Sequence, residues 1–277
     1  KVLERRADVA ATSGDDGRAA ALRRELATLR AEKLGDLEGA IARYEATLAA
    51  NGSDVAALKS LQDLYDKTGR TDDYLRTLER LAQVAPEGEK LATLRKLAAE
   101  LEDREGESKR AQRAYEQILD VEPTADDALR GLARLYRAGA QWYDLVALLD
   151  RHVSVSKTVA QKVALQLDAA AVHEKELSDP HRAIEAHLNA LALDENCKPA
   201  LAALARLYER TEAWERAMDT RGKLAALDGE RAAGHWAEAG RLAHDKLEDG
   251  DAAIRWFEKA LAAEPENLVA LRGLGEV

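Results

Sequence analysis

The chain has 277 residues, 33% of them charged, with a net charge of −10 and one cysteine, and these totals exclude several classes of protein. No apolar stretch approaches the ~20 residues that a membrane-spanning helix needs. One cysteine cannot form an internal disulfide framework. The acidic balance argues against a general nucleic-acid binder, which needs a basic surface. The compartment stays open, although a lone cysteine is compatible with a reducing one and so favours the cytoplasm.

The sequence predicts a chain built of helices. Apolar residues recur at helical spacing, as at Leu129, Leu132 and Leu135, and the alternation typical of strands appears nowhere in the sequence. We therefore expect about sixteen helices of roughly 11–19 residues, joined by short turns.

Prolines and capping residues place several helix ends. Proline cannot donate to a helix hydrogen-bond ladder, and it restricts the residue before it. Three predicted helix ends carry a proline, at Ala85–Pro86, Glu122–Pro123 and Glu264–Pro265. Thr124 is predicted to cap the next helix, with Asp127 three residues later. Asp179 precedes Pro180, a residue that suits the first helical position.

The sequence repeats itself with a period of about 71 residues. Four similar segments begin at Gly35, Gly106, Ser178 and Glu248, at offsets of 71, 72 and 70 residues. A second series reads ALKSLQDLY, ALRGLARLY, ALAALARLY and the shorter ALRGLGEV. We interpret residues 1–277 as one repeat array. Its double-repeat units span about 21–91, 92–162, 163–233 and an incomplete 234–277.

Both ends of the sequence fall inside a repeat. The C-terminal stretch carries an apolar stripe at Leu268, Leu271 and Leu274, with Gly275 where a following helix would pack closely. The first ten residues resemble the second-helix run Thr77–Ala85. We expect the chain to be a fragment of a longer array, whose uncapped ends would allow self-association.

These residues resemble the tetratricopeptide repeat, a pair of helices with the pattern W-x2-L-G-x2-Y, then A-x3-F-x2-A, then proline. The best matches are Ala253, Phe257, Ala260 and Pro265 for the second half, and Leu201, Leu204, Ala205 and Tyr208 for the first. The resemblance implies an all-α, right-handed superhelical α-solenoid of tandem helix hairpins. It is similar to the degenerate arrays of large bacterial multidomain proteins.

One repeat position should control how closely helices cross. It is occupied by Ala40, Tyr74, Ala111, Leu145, Ala183, Ala217 and Ala253, at spacings of 34, 37, 34, 38, 34 and 36 residues. Every second repeat is thus longer, with the extra residues expected in its first helix. Tyr74 and Leu145 are larger than the usual residue and should loosen their crossings, whereas Phe257 should fill space between hairpins.

No pattern in the sequence indicates catalysis. The six histidines include no pair four residues apart, and neither a G-x-S-x-G motif nor a glycine-rich phosphate loop occurs. His187 aligns with Tyr115 and Phe257, so we expect it to be a packing residue, whereas His173 and His244 could be solvated or line a groove. We predict a non-enzymatic chain with no cofactor, no metal site and no catalytic residue.

Two tryptophans and the cysteine have simpler interpretations. Trp214 and Trp236 could form a stacking platform for RNA, but both occupy aromatic positions of the repeat. Cys197 lies in a predicted turn, where a lone cysteine is usually incidental.

Basic residues on first helices form the candidate binding site. Arg130, Arg134 and Arg137 follow one stripe of a helix. The full set of candidate partner-binding residues is Lys59, Arg130, Arg134, Arg137, Arg206 and Arg272. The resemblance implies that first helices line the concave surface, where arginines would suit an acidic peptide. The alternative is a solvated face whose arginines pair with Asp126 or Asp127.

The sequence therefore favours a protein-interaction scaffold that binds a peptide or helix of a partner protein on its concave face. A structural spacer or self-assembling rod without a dedicated ligand is the alternative, and a helical-repeat RNA binder is disfavoured by the acidic charge. The expected partner is another protein or peptide, which could be acidic. We expect no nucleic acid and no direct membrane insertion.

Overall fold

The computed structural model describes residues 2–277, apart from the side chain at position 16. Lys1, the first residue of the incomplete repeat expected at the N-terminal end, lies outside these described residues. The described chain contains sixteen α-helices and no strand, as the sequence predicts. None of these helices is long and apolar enough to cross a membrane. The all-α fold class is thus confirmed.

The helices alternate between two roles. We call α2, α4, α6, α8, α10, α12, α14 and α16 first helices, and the helix that follows each of them a second helix. The sixteen helices are α1 Val2–Thr12, α2 Asp16–Leu34, α3 Leu37–Ala50, α4 Val55–Lys67, α5 Thr71–Val84, α6 Glu87–Glu102, α7 Ser108–Val121, α8 Asp126–Ala138, α9 Trp142–Val155, α10 Val159–Lys175, α11 Pro180–Leu193, α12 Lys198–Arg210, α13 Trp214–Leu227, α14 Ala232–Asp245, α15 Gly250–Ala263 and α16 Leu268–Glu276.

The chain divides into two compact units, unit 1 (Lys1–Leu135) and unit 2 (Tyr136–Val277), which we describe separately. In unit 1, each helix from α1 to α6 packs against the helix that follows it in the chain. In unit 2, the same is true from α9 to α16, and α14 also contacts α16. Neighbour-on-neighbour packing of this kind spreads stability over successive hairpins rather than over one central core.

The helix lengths explain the uneven repeat spacing. The first helices α4, α8 and α12 have 13 residues each. In contrast, α6 and α10 have 16 and 17, so the longer repeats carry their extra residues there, as predicted. In α14, which has 14 residues, only part of the extra length is helical.

Small residues sit where helices approach most closely. Five alanines of the crossing position (Ala40, Ala111, Ala183, Ala217 and Ala253) are fully buried, as is Leu145, and Tyr74 is 6% exposed. Phe257 packs between Gly240 and Gly273, where an added Cβ would lie only 2.6 Å and 2.2 Å from its ring. The close approach in α16 thus occurs at Gly273. No heavy atom lies within 4 Å of a Cβ built at Gly275.

Two predicted capping sites have different outcomes. The Asp179 side chain accepts hydrogen bonds from the backbone of His181 and Arg182, with Pro180 in the first helical turn, so this cap is confirmed. The Thr124 cap is wrong, because α8 begins at Asp126 and the carbonyl of Ala125 accepts its first helical hydrogen bond. Asp127 binds Arg95 of α6 instead, with Nε and Oδ2 2.7 Å apart.

Every turn from a first to a second helix contains one residue in the left-handed region. Gly35, Gly69 and Gly106 hold this position in three turns, with φ of 65°, 68° and 82°. In the other four turns, the position is held by Ala140 (φ 52°), Ser178 (53°), Glu212 (58°) and Glu248 (54°). A Cβ in this region clashes with the following carbonyl, at a cost of roughly 1–2 kcal/mol.

Replacing Glu212 or Glu248 with glycine should therefore raise the free energy of unfolding by up to about 1 kcal/mol, since glycine relieves the strain but adds unfolded-state entropy. Urea denaturation followed by circular dichroism measures the change. Glu258→Gly, at an exposed position inside α15, is the matched control and should lower stability by about 1 kcal/mol. If the turn and helix variants lost stability equally, the strain argument would be refuted.

Candidate interaction surface on the first helices

The arginine stripe of α8 lies on the exposed side of that helix, opposite its buried leucine face. Leu129, Leu132 and Leu135 point into the core and are at most 6% exposed. Arg130 and Arg134 lie on the other side, with side chains 65% and 60% exposed. The helical phase predicted from the sequence is therefore correct, and both guanidinium groups face solvent.

In unit 1, Arg134 is joined to the preceding first helix by a bidentate ion pair. Its Nε and Nη2 donate to the two carboxylate oxygens of Glu102 in α6, at 2.7 and 3.0 Å. The Tyr115 hydroxyl donates to the same carboxylate. Hydrogen bonding to Arg134 holds the pKa of Glu102 below its ordinary value, so this pair stays ionised at neutral pH.

In unit 2, the equivalent pair gains a second arginine. Arg206 of α12 donates both Nη groups to Glu174 of α10, one of them at 2.8 Å, and Arg210 Nη1 lies 3.4 Å from the same carboxylate. The Glu174 side chain is only 10% exposed, whereas Arg206 and Arg210 are 58% and 47% exposed. Two cations thus share one anion, which leaves this cluster with a local charge of +1.

Arg210 was missed by the sequence reasoning. It follows Arg206 by four residues and so lies one turn further along the same helix face. That spacing could have identified it.

The remaining predicted residues have separate partners. Lys59 of α4 pairs with Glu89 of α6 at 2.7 Å, and Arg137 donates to Asp168 of α10 at 2.7 Å. Arg272 is exposed on α16, and no ion pair to it occurs among residues 2–277. The structure thus places Arg130 and Arg134 together on the exposed side of α8, and Arg272 on α16.

The alternative of a solvated, internally paired face is partly correct. Arg130 pairs with Asp126 of its own helix, as that interpretation requires. The partners of Arg134, Arg137 and Arg206 instead lie on neighbouring first helices, 31 or 32 residues away in sequence. The arginines of these pairs are about half exposed or more, so water weakens the attraction and each pair contributes little to stability, roughly 0–1 kcal/mol. Their arginines therefore remain able to exchange partners.

A groove in unit 1 opens beside Lys59. It encloses about 420 Å³ between α4 and α6, and its floor is formed by Leu78 and Leu81 of α5. Lys59 and Lys96 contribute positive charge to its walls, while Asp63 and Glu89 contribute negative charge. This α4–α6 groove combines an apolar floor with a charge-balanced rim.

Two histidines are buried in unit 2, in the hairpin of α10 and α11. His187 is a packing residue, as predicted, whereas His173 is 7% exposed, so the expectation that it could be solvated is wrong. Among the residues that the structure describes, the Nδ1 atoms of both histidines have no hydrogen-bond partner. Burial lowers the pKa of both imidazoles. Within residues 2–277, no group of three or more histidine, cysteine and acidic side chains could hold a metal ion.

Trp214 and Trp236 are both partly buried. Trp214 packs against the cluster of Leu204, Tyr208, Ala217 and Leu242, and Lys246 lies 5.0 Å from the centre of its ring. Trp236 packs against the cluster around Phe257. Their rings therefore support packing of the hairpins. Cys197 precedes α12 and is buried.

Residues 200–234 match the sequence model of the Tetratricopeptide repeat family. This segment comprises most of α12, the whole of α13 and the start of α14. The match shows a tetratricopeptide-type hairpin in this segment, which lies within a chain of consecutively packed helices. No curated protein matches the chain.

Solved structures with similar helix arrangements are related only distantly. A structure of MamA is 20% identical, with 65% of this chain and 94% of that one covered and a TM-score of 0.42. YrrB, described as a TPR protein with an unusual peptide-binding site, is 15% identical over 84% and 97% of the two chains, with a TM-score of 0.40. The C-terminal part of a TPR repeat-containing protein from Cytophaga hutchinsonii is 15% identical over 91% and 99%, with a TM-score of 0.42. Similarities this low carry no functional conclusion.

Proposed function

We propose that the chain is a non-catalytic protein-interaction scaffold that binds an acidic peptide segment on its first-helix face, the face that the repeat family implies to be concave. The observation that carries this proposal is the cluster in which Arg206 and Arg210 share the carboxylate of Glu174. A carboxylate of a partner can bind the under-neutralised pair through charge-assisted hydrogen bonds, for which arginine's planar fork is suited.

The first-helix face offers further contacts of the same chemistry. Arg130 and Arg134 of α8 are mostly exposed, and their ion pairs can be exchanged for pairs with ligand carboxylates. The α4–α6 groove could receive an apolar side chain between Lys59 and Lys96. Arg137 and Arg272 complete the proposed set, with Arg272 as a peripheral member.

Two variants with opposite expected effects test this function. Arg206→Gln/Arg210→Gln removes both cations, so affinity for a fluorescein-labelled peptide of alternating aspartate and glutamate should fall about tenfold or more. Glu174→Gln removes the competing carboxylate, so it should raise the affinity. Fluorescence anisotropy at low and high salt gives the dissociation constants, and high salt should weaken binding by the parent.

The control is Arg231→Gln/Arg255→Gln, which removes equal charge from exposed positions of unit 2. It should bind nearly as well as the parent. Arg130→Glu/Arg134→Glu extends the test to α8, where it should abolish binding of the labelled peptide. Circular dichroism of this variant should show an unchanged helical signal. Equal binding by the Arg206→Gln/Arg210→Gln variant and the control would reject this site.

A structural spacer remains the second candidate, and a specific observation favours it. The ion pairs Arg134–Glu102 and Arg206–Glu174 join first helices of consecutive repeats. Such links would suit an array that acts as a spacer of fixed length. A spacer predicts no saturable binding by the parent and no gain of affinity in Glu174→Gln.

A further inference from the structure

A second groove of unit 1 lies between the second helices α3 and α5. It encloses about 430 Å³, and its floor is formed by Leu48, Leu61 and Tyr65. These three side chains are at most 6% exposed, so the floor is part of the hydrophobic core. We call this cavity the α3–α5 groove. It shares no lining residue with the α4–α6 groove.

The helix that borders both grooves is the one with the unusual crossing residue. Tyr74 of α5 stands where most second helices carry alanine. Its ring lies beneath Lys96 of α6, with the nitrogen 5.4 Å from the ring centre.

The rim of the α3–α5 groove carries two arginines one helical turn apart. Arg76 is 67% exposed, and its one ion pair among residues 2–277 is with Asp73 of its own helix, a carboxylate that Arg70 also contacts. Arg80 is exposed and donates to the carbonyl oxygen of Gly52 at 3.2 Å. Both guanidinium groups therefore retain donors that point to solvent or to a ligand.

Of these two arginines, only Arg76 is specific to this repeat. In the next double unit its position is occupied by Ala147, and one unit further by Asp219, whereas Arg80 is matched by Arg151 and Lys223. Hairpin packing therefore does not explain the cation at Arg76.

The one carboxylate opposite the arginines limits what can bind. Glu45 of α3 accepts a hydrogen bond from the Tyr65 hydroxyl at 2.7 Å. Its charge would repel a second acidic group, while its remaining acceptor sites suit a backbone N–H group. The groove therefore fits a segment with one acid beside an apolar residue better than it fits a run of acids.

We propose that the α3–α5 groove docks a partner protein through an apolar side chain followed directly by an acidic one. The apolar side chain packs on Leu48, Leu61 and Tyr65, and the carboxylate binds Arg76 and Arg80. Glu45 accepts a backbone N–H group of the same segment. This surface is separate from the first-helix face and does not depend on the function proposed for that face.

The test uses the acetylated dipeptide amide Leu-Glu as the probe and the full chain labelled at leucine methyl groups. Nuclear magnetic resonance titration should show saturable shifts at the methyl groups of Leu48 and Leu61, and none at Leu204. Arg76→Gln/Arg80→Gln should weaken the binding about tenfold, because charge-assisted hydrogen bonds are lost. Lys109→Gln/Arg113→Gln, which removes equal charge from exposed positions of α7, should bind as the parent does.

Two further probes separate the two halves of the proposal. The Leu-Gln and Ala-Glu dipeptide amides should each bind about tenfold more weakly than Leu-Glu, because one lacks the charge and the other the apolar anchor. No saturable shift at Leu48 and Leu61 in the parent would overturn the proposal. Equal binding by the parent and Arg76→Gln/Arg80→Gln, or of Leu-Glu and Ala-Glu, would overturn it as well.

Discussion

Replacing Leu132 by alanine should lower the free energy of unfolding by about 2–5 kcal/mol, because the side chain is 2% exposed and its removal leaves a cavity. In an array stabilised by nearest neighbours, the loss should concentrate in the hairpins around α8. Hydrogen exchange should therefore show faster exchange in α8 than in α14, and urea denaturation should give a lower midpoint or a separate early transition.

Leu188→Ala provides the matched control for this substitution. Leu188 lies in the middle of α11 and is 43% exposed, so its loss should change stability by about 0.5 kcal/mol or less. A Leu132→Ala variant that unfolds at the urea concentration of the Leu188→Ala variant would contradict the burial of this helix face.

Lowering the pH from 7.5 to 5.5 should destabilise the hairpin of α10 and α11 before the rest of the array. Burial of His173 and His187 lowers the pKa of both imidazoles in the folded state, whereas the unfolded pKa is about 6.5. Below that value, the unfolded chain binds protons that the folded chain does not. The stability that these groups contribute is therefore present above pH 6.5 and is lost as the pH falls.

Charged groups near the two histidines favour or oppose their protonation, and so change how much stability is lost at low pH. Asp150, Asp179 and Glu185 favour protonation of His173, whereas Arg182 opposes it. For His187, Glu174 favours protonation and Arg206 opposes it. Burial is the largest cause at both sites, so the pKa of each stays below its ordinary value.

His173→Leu/His187→Tyr is the variant that tests this pH dependence. The replacements are the residues at the equivalent positions one unit earlier, Leu101 and Tyr115. Hydrogen exchange of α10 and α11 at the two pH values should differ less in the variant than in the parent. A smaller dependence should remain elsewhere, because burial also lowers the pKa of His235. An unchanged pH response in α10 and α11 would exclude the two histidines as its source.

The helical pattern was predictable because local chemistry determines it. The prolines after Ala85, Glu122 and Glu264 correctly placed the ends of α5, α7 and α15. The burial of the crossing-position alanines was predicted correctly for the same reason, because the helical spacing of apolar residues determines which face of a helix is buried. Thr124 failed because one more residue, Ala125, precedes α8, so the helix begins at Asp126.

The binding face was less predictable than the fold. The sequence identified Arg134 and Arg206 but not their acidic partners, because Glu102 and Glu174 lie 32 residues away and only the packing of first helices brings them near. The same limit applies to the α3–α5 groove. Its arginines are ordinary in sequence, and the cavity beside them depends on how three helices pack.

The ion pairs between first helices also bear on how such an array can change its length. Glu102 and Glu174 are 72 residues apart, and so are Arg134 and Arg206. Recombination that excised residues 103–174 would leave Arg206 at the same separation from Glu102 that Arg134 has now. Arg206 and Glu102, which do not pair in the present chain, could then form the ion pair across the new junction. One event that removes this 72-residue period from the gene would therefore preserve an arginine–glutamate pair at the new junction.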